Sequence, residues 1–404
     1  MRVEFDGPLA QSVEQKTFNL LVEGSNPSRP TIVATGCAIL KRTLLDIVYA
    51  RRLHAKRAVS FAGKLLPAPL FRPLRAVAEQ VAFRARPEYQ GDTLPPIFHY
   101  WSQRHFNTRG RRANIASPEQ FYFDEIVAAA GQGDAPLRLL SVGSGACALE
   151  IALAARLKAA GIGVHVTCVD FNAALLRSAA QSARRNGVGD AMSFLELDCN
   201  RQPRFPASDV ILVNQFFHHV EDLEGFCASL GDALADAGRL LTSDIIGRNG
   251  HLLWPDVEAD VQDFWNRLPP AQRVDRYFGT RQQRYRPMDH SAYSNEGIRA
   301  QDVVACLSQV FDFEVFFTFG GSIMPFIERR IGFNFDPGAP EDRELIDRID
   351  ATDHAALAGG RYPPSNMIAA LRKKGLATRR VHEPLSPEQF LRAAAAQQAK
   401  VARR

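Results

Sequence analysis

The amino-acid sequence predicts an α/β fold built on a doubly wound, mostly parallel seven-stranded sheet. Two observations carry that expectation. From Pro118 onward, apolar runs of strand length alternate with helical stretches. The runs are apolar nearly throughout, as strands covered on both faces are, instead of alternating apolar and polar.

The first helix, "SPEQFYFDEIVAAAGQG", opens with Ser117 as N-cap, Pro118 at the first helical position and Gln120 three residues after the cap. "LRLLSVG" reads as the first strand. "CALEIALAARLKAAG" follows as a helix with Leu149, Leu153 and Leu157 along one face. "VHVTCVD" is the second strand, "AALLRSAAQSARRNG" a helix and "MSFLELD" the third strand. "SDVILVN" is the fourth strand, "DLEGFCASLGDALADAG" a helix and "RLLTSDII" the fifth strand. The alternation then breaks over 247–296, which is rich in Trp, Tyr, Phe and Arg and reads as a helical or irregular cap. "GIRAQDVVACLSQV" resumes as a helix, "FDFEVFFTFG" and "SNMIAALRK" supply the last two strands, and "SPEQFLRAAAAQQAKVARR" ends the chain as a helix with the capping letters of Ser117. Right-handed crossovers place the carboxyl ends of the parallel strands, and any ligand, along one edge.

Composition bounds the rest. At 404 residues, 46% hydrophobic and 23% charged, the chain reads as a soluble globular protein. No apolar run reaches bilayer length; "TIVATGCAIL" is about half a span. The six cysteines are scattered without a CxxC pair, which disfavours zinc or a disulfide framework and points to reduced thiols in the cytoplasm. The net charge of +5 is uneven: between Cys37 and Pro87 there are eleven Lys and Arg against two acids, so the remainder is acidic. This basic segment reads as amphipathic helices. Either they contact a membrane surface, or they pack on the main domain; without an RNA-binding motif, no nucleic acid is expected.

Residues 10–31 have no helical or strand period. Back-translated, "AQSVEQ", "TFN" and "GSNP" fit the D-arm, anticodon loop and T-arm of a lysine transfer RNA gene in order, so the natural start is expected after Thr31. The expected organisation is therefore a mis-assigned or disordered start (1–36), a basic helical extension (37–116), the main domain (117–374, with the cap at 247–296) and a tail helix (375–404).

The stretch "SVGSGACALE" carries Gly143 and Gly145 between a strand and a helix, where backbone N–H groups can meet a ligand. Gly-x-Gly-x-x-Ala ending at Ala148 also suits a dinucleotide. Asp170 lies 22 residues beyond Ala148 at a strand tip, suited to ribose hydroxyls in either cofactor class. On these features alone, both classes stand.

The loop's position about 140 residues into the chain, "LELDCN" at the third strand end, "NQFFHHVEDLEGF" after the fourth, and the two final strands together resemble the class I S-adenosylmethionine-dependent methyltransferases across Leu137 to Lys374. The resemblance implies S-adenosyl-L-methionine as cofactor. Gly143, Ser144 and Gly145 would approach its methionine moiety. Asp170, with Phe171 beside it, would hold the ribose diol, and Asp198, with Cys199 beside it, the adenine amine. Asn214 would lie at the methyl-transfer edge. Two positions depart from the family pattern: Ser141 stands for an acidic residue and Cys147 for a third glycine. Glu150 either supplies the missing carboxylate or sits in the first helical turn because the helix dipole favours it there.

Methyl transfer needs alignment, water exclusion and, for a protonated acceptor, a base. His218 and His219 follow the fourth strand and either serve as that base or shape the pocket. Trp254, Trp265, Tyr277, Tyr285 and Tyr293, with Arg273, Arg276, Arg281, Arg284 and Arg286, either line an acceptor pocket or form the cap's own core and surface. No linear pattern suggests a metal. The expected activity is methylation of a small-molecule or glycan-type acceptor. The alternatives are an NAD(P)-dependent oxidoreductase and a non-catalytic scaffold with this fold.

Overall fold

A computed structural model of the chain describes residues 94–130, 135–200, 203–292 and 295–403. The expected mis-assigned start, nearly all of the basic extension with its membrane contact, and Tyr293 lie outside these residues.

The chain enters through helix α1 (Pro96–Thr108), whose Ile97, Phe98, Trp101 and Phe106 belong to the main hydrophobic core. Helix α2 (Pro118–Ala129) begins as its sequence predicts: the Ser117 side chain accepts a hydrogen bond from the Gln120 N–H at 3.1 Å. The alternation then follows as β1 (Leu137–Val142), α3 (Ala148–Ala159), β2 (Val164–Asp170), α4 (Ala173–Arg185), β3 (Met192–Glu196), β4 (Ser208–Asn214), α5 (Leu223–Ala233) and β5 (Leu234–Ile245). Strand β5 starts earlier than "RLLTSDII" suggests. "LADAG" pairs at Ser208 through an irregular register instead of extending the helix.

The cap contains α6 (Pro255–Arg267) and a short hairpin of β6 (Val274–Asp275) with β7 (Thr280–Arg281). Then come α7 (Val303–Val310), β8 (Phe311–Phe319), the single turn α8 (Met324–Ile327), α9 (Pro340–Ala358), β9 (Asn366–Lys373), β10 (Val381–Glu383) and α10 (Pro387–Ala402).

The sheet order is β10-β8-β9-β5-β4-β1-β2-β3. Strands β1 to β5 run parallel, and β9 pairs antiparallel with both β5 and β8. The fold class holds with one correction: the sheet has eight strands, not seven. Val381–Glu383 adds parallel to β8 at the edge, and three half-buried residues are too few to produce a readable pattern.

Each face of the sheet buries its own cluster. Leu139, Val166, Val210, Leu212 and Leu241 pack toward α1, α2, α3 and the cap helix α6; Leu140, Val142, Ile211, Val213 and Leu240 pack toward α5, α7 and α10. At about 25 cal/mol per Å² of apolar surface removed from water, these two layers dominate the stability. Between them, β1, β2 and β4 run parallel with their carboxyl ends together at one edge.

Candidate functional site

The site begins where β1 stops. Gly143, Gly145 and Cys147 have φ of 73°, 53° and 56°, all left-handed. A Cβ on Gly143 would lie 2.3 Å from the Phe216 ring, so this position takes no side chain. Cys147 departs from glycine while keeping the conformation that glycine favours. Its buried thiol donates to the Ser144 hydroxyl at 3.4 Å.

Asp170 ends β2 and ties the loop down. Its Oδ2 accepts from the Gly145 N–H at 2.9 Å, and its Oδ1 accepts from the Asn172 N–H at 2.8 Å. It is buried, and burial raises its pKa against those two bonds. Each carboxylate oxygen retains a lone pair for a hydroxyl. Phe171, next in the chain, is 40% exposed, an apolar face at the mouth of the edge. Asp198 lies on the exposed surface after β3, and its Oδ1 accepts from the Asn200 N–H at 3.0 Å. Between the two acids, the Cys199 thiol is pushed up to about 12 by burial and by the charges of Asp170 and Asp198, which places all three together.

Ser141 and Glu150 meet directly. The Ser141 hydroxyl donates to Glu150 Oε1 at 2.7 Å, with both side chains buried. Burial lifts Glu150 to about 7. A carboxyl group from the first turn of α3 thus lies against the position where the resemblance implied an acid. Asn214, at the tip of β4, accepts from the Tyr122 hydroxyl of α2 at 2.8 Å in a buried contact.

Beyond Asn214 the chain turns sharply through Gln215 (φ 53°) into a single 3₁₀ turn, Phe217–His219. Asp244 on β5 organises it. Its Oδ2 accepts from the Phe216 and Phe217 N–H groups at 2.9 Å each, and His218 Nδ1 donates to its Oδ1 at 2.6 Å. The other ring nitrogen of His218 lies 3.2 Å from Glu296 Oε1. Burial works against the charged ring, but Asp244 and Glu296 outweigh it and raise His218 to about 10. With both nitrogens held and 2% side-chain exposure, His218 is fixed in place between Asp244 and Glu296 and is not open to an acceptor. His219 is different: its ring is 30% exposed, its Nε2 lies 3.8 Å from Glu296 Oε2, and desolvation with the His218 charge lowers it to about 4. It therefore presents a neutral imidazole at neutral pH.

The cap answers one of the open alternatives. Trp254 and Trp265 are buried in the main core, and the Trp265 indole N–H donates to the Gln282 carbonyl while its ring packs edge-on to Tyr285. Arg273 donates to the Leu268 and Asn266 carbonyls within the cap, and Arg276 donates to Asn334 and the Phe333 carbonyl, beyond it in sequence. These residues build the cap instead of lining an open pocket.

The structure also gathers residues that no linear spacing connects. His251 and Glu296, from the two ends of the cap insertion, meet His218, so a group of candidate ligands exists where none was expected from sequence. Asp244 and Tyr122 were likewise missed, because each acts through a contact distant in sequence.

Residues 140–240, about a quarter of the chain, match the family model described as a methyltransferase domain. No curated protein matches the chain. Among solved structures, the chain is similar to the citrinin polyketide synthase CMeT domain at 21% identity and TM-score 0.29, covering 34% of this chain and 36% of that one. It is similar to the [4+2]-cyclase SpnF at 14% identity and TM-score 0.35, covering 65% of this chain and 81% of that one. A third likeness is the YcgJ protein from Bacillus subtilis, at 16% identity and TM-score 0.33, covering 63% of this chain and 96% of that one. Likenesses this distant bear on neither acceptor nor chemistry.

Proposed function

We propose that this chain, whose residues 140–240 match a methyltransferase domain, transfers a methyl group from S-adenosyl-L-methionine to a small-molecule acceptor. The observation that carries the reading is the junction of Gly143, Gly145 and Asp170. There a left-handed loop is pinned by a buried carboxylate at the carboxyl edge of a parallel sheet. Such an edge offers a close backbone approach at the glycines and one acidic acceptor from the adjacent strand, which fits an amino-acid head and a ribose diol.

When bound, S-adenosylmethionine supplies the electrophilic methyl group. The protein's part is placement. Gly143 and Gly145, which carry no side chain, let the methionine end approach the loop closely, and Asp170 accepts from ribose hydroxyls. Asp198 accepts from an exocyclic amine, with Phe171 and Cys199 beside these two acids. Asn214, oriented by Tyr122, faces the transfer edge. Phe216 packs on Gly143 and reaches His219, with ring centroids 6.4 Å apart, so the histidine turn adjoins the glycine loop. His219 is the half-open member of the pair and accepts the acceptor's hydrogen bond or proton; His218 positions it. The cap insertion carries seven basic and seven acidic side chains. That balance favours a neutral small molecule over a nucleic acid. Among the described residues no helix is long and apolar enough to cross a membrane. The described cysteines are free thiols, in keeping with a reducing cytoplasm.

The test is transfer of labelled methyl from S-adenosylmethionine into fractionated small-molecule extract. Label should enter a small-molecule fraction, and His219→Ala should slow its entry by about 10²–10⁴. A folded chain that binds the cofactor but labels no fraction would favour a scaffold.

A further inference from the structure

The cluster formed by the histidine turn and the cap is not needed to hold the cofactor, and its geometry is that of a ligand set. His218 Nε2 and His251 Nε2 lie 3.2 and 3.3 Å from the same oxygen, Glu296 Oε1, and all three donor atoms lie within 4.8 Å of one another. A tetrahedral ion with bonds of about 2.0–2.1 Å has donor–donor edges of about 3.3–3.4 Å. The edges from Glu296 Oε1 to the two imidazoles match that figure.

Two further observations point the same way. Asp244, fully buried, takes the far nitrogen of His218 at 2.6 Å. This carboxylate–imidazole pairing fixes the ring so that Nε2 faces the cluster, as outer carboxylates do for metal-bound histidines. His251 Nε2 is buried and near Glu296, yet it makes no hydrogen bond. An ion between them would give that lone pair a partner. The backbone is also shaped around His251. A Cβ on Gly297 would lie 2.6 Å from His251 Cδ2 and 2.9 Å from Nε2, and Gly250 N–H donates to the Gly297 carbonyl at 2.8 Å, joining the two loops.

We infer that His218, His251 and Glu296 form a binding site for a divalent first-row transition ion, with zinc the best match to two imidazoles and one carboxylate. Three protein ligands leave a further coordination position for water or an acceptor oxygen. The site rests on these side chains alone and stands apart from the methyl-transfer reading, since metal binding is measured without cofactor or acceptor.

The test uses the full chain, freed of purification tags and stripped with chelator, then titrated with Zn²⁺ against a chromophoric competitor. Elemental analysis after dialysis gives the stoichiometry, and Co²⁺ loading gives the d–d spectrum of the coordination sphere. One ion per chain and a four- or five-coordinate Co²⁺ spectrum are expected. His251→Ala and Glu296→Gln, each checked for fold by circular dichroism, should lower affinity at least about a hundredfold. Asp244→Asn should lower it about 10–100-fold, while His165→Ala, at an exposed position of β2, should leave it unchanged. Absence of stoichiometric binding by the folded wild-type chain would overturn the site. So would equal binding by folded His251→Ala and Glu296→Gln variants, which would reveal an adventitious ion elsewhere.

Discussion

The glycine loop and the histidine cluster occupy the same edge of the sheet but are assembled in opposite ways. The loop is local: Gly143, Gly145 and Glu150 fall within one strand–loop–helix unit, and Asp170 arrives from the adjacent strand. The cluster is remote: His218, Asp244, His251 and Glu296 come from β4's exit, β5 and both ends of the cap. A local unit can be assembled by backbone conformation and one carboxylate. A remote one needs buried charge, so its parts should be energetically interdependent.

That contrast orders the predictions. Asp244→Ala should be the most damaging, because it strips the partner from a buried His218 and from two backbone N–H groups. A loss of about 3–5 kcal/mol is expected by chemical denaturation. A loss below about 1 kcal/mol would mean that the cluster is loosely held.

Glu150→Gln probes the loop's floor. The wild-type carboxyl titrates at about 7 in the folded chain, against 4.5 for an ordinary glutamate. Its contribution to stability is fully present below about pH 4.5 and is lost as the pH rises through about 7. With each pKa unit worth about 1.4 kcal/mol, the uncharged variant should gain up to about 3 kcal/mol relative to wild type at pH 8, with a flatter profile between. Melting temperatures across that range, without cofactor, check it; parallel profiles would place Glu150 in water.

Asp170→Ala should weaken S-adenosylmethionine at least tenfold, the loss of charge-assisted bonds of roughly 1.5–3 kcal/mol each, while the fold survives. Calorimetry on the folded variant decides, and an unchanged affinity would remove Asp170 from the site. Ser141→Ala is the mildest, costing about 1 kcal/mol through its single bond to Glu150, readable in urea unfolding.

The same contrast explains what could be read from the sequence. Strands β1, β2 and β4 and the loop between β1 and α3 were legible because apolar runs and glycines report local structure. The N-caps at Ser117 and Ser386 were legible for the same reason. Helix α9 was not. Its buried face runs Asp342, Ile346, Ile349, Asp353 and Leu357, and two aspartates interrupt the apolar stripe. Asp353 is tolerated there because it accepts from the Ser322 N–H and the Tyr362 hydroxyl, contacts that spacing cannot reveal. The aromatic cap residues left two readings open in the sequence, and Trp265, fully buried, belongs to the core. His251 and Glu296 carried no signal, since residues 45 apart are brought together only by the folded cap.

In the proposed function, the loop of Gly143 and Gly145 with Asp170 holds S-adenosylmethionine. Isothermal calorimetry of the full chain with S-adenosylmethionine, S-adenosylhomocysteine, NAD and NADP tests it most directly. Both sulfur nucleosides are expected to bind at one site and neither nicotinamide to bind; binding of a nicotinamide cofactor alone would contradict the assignment.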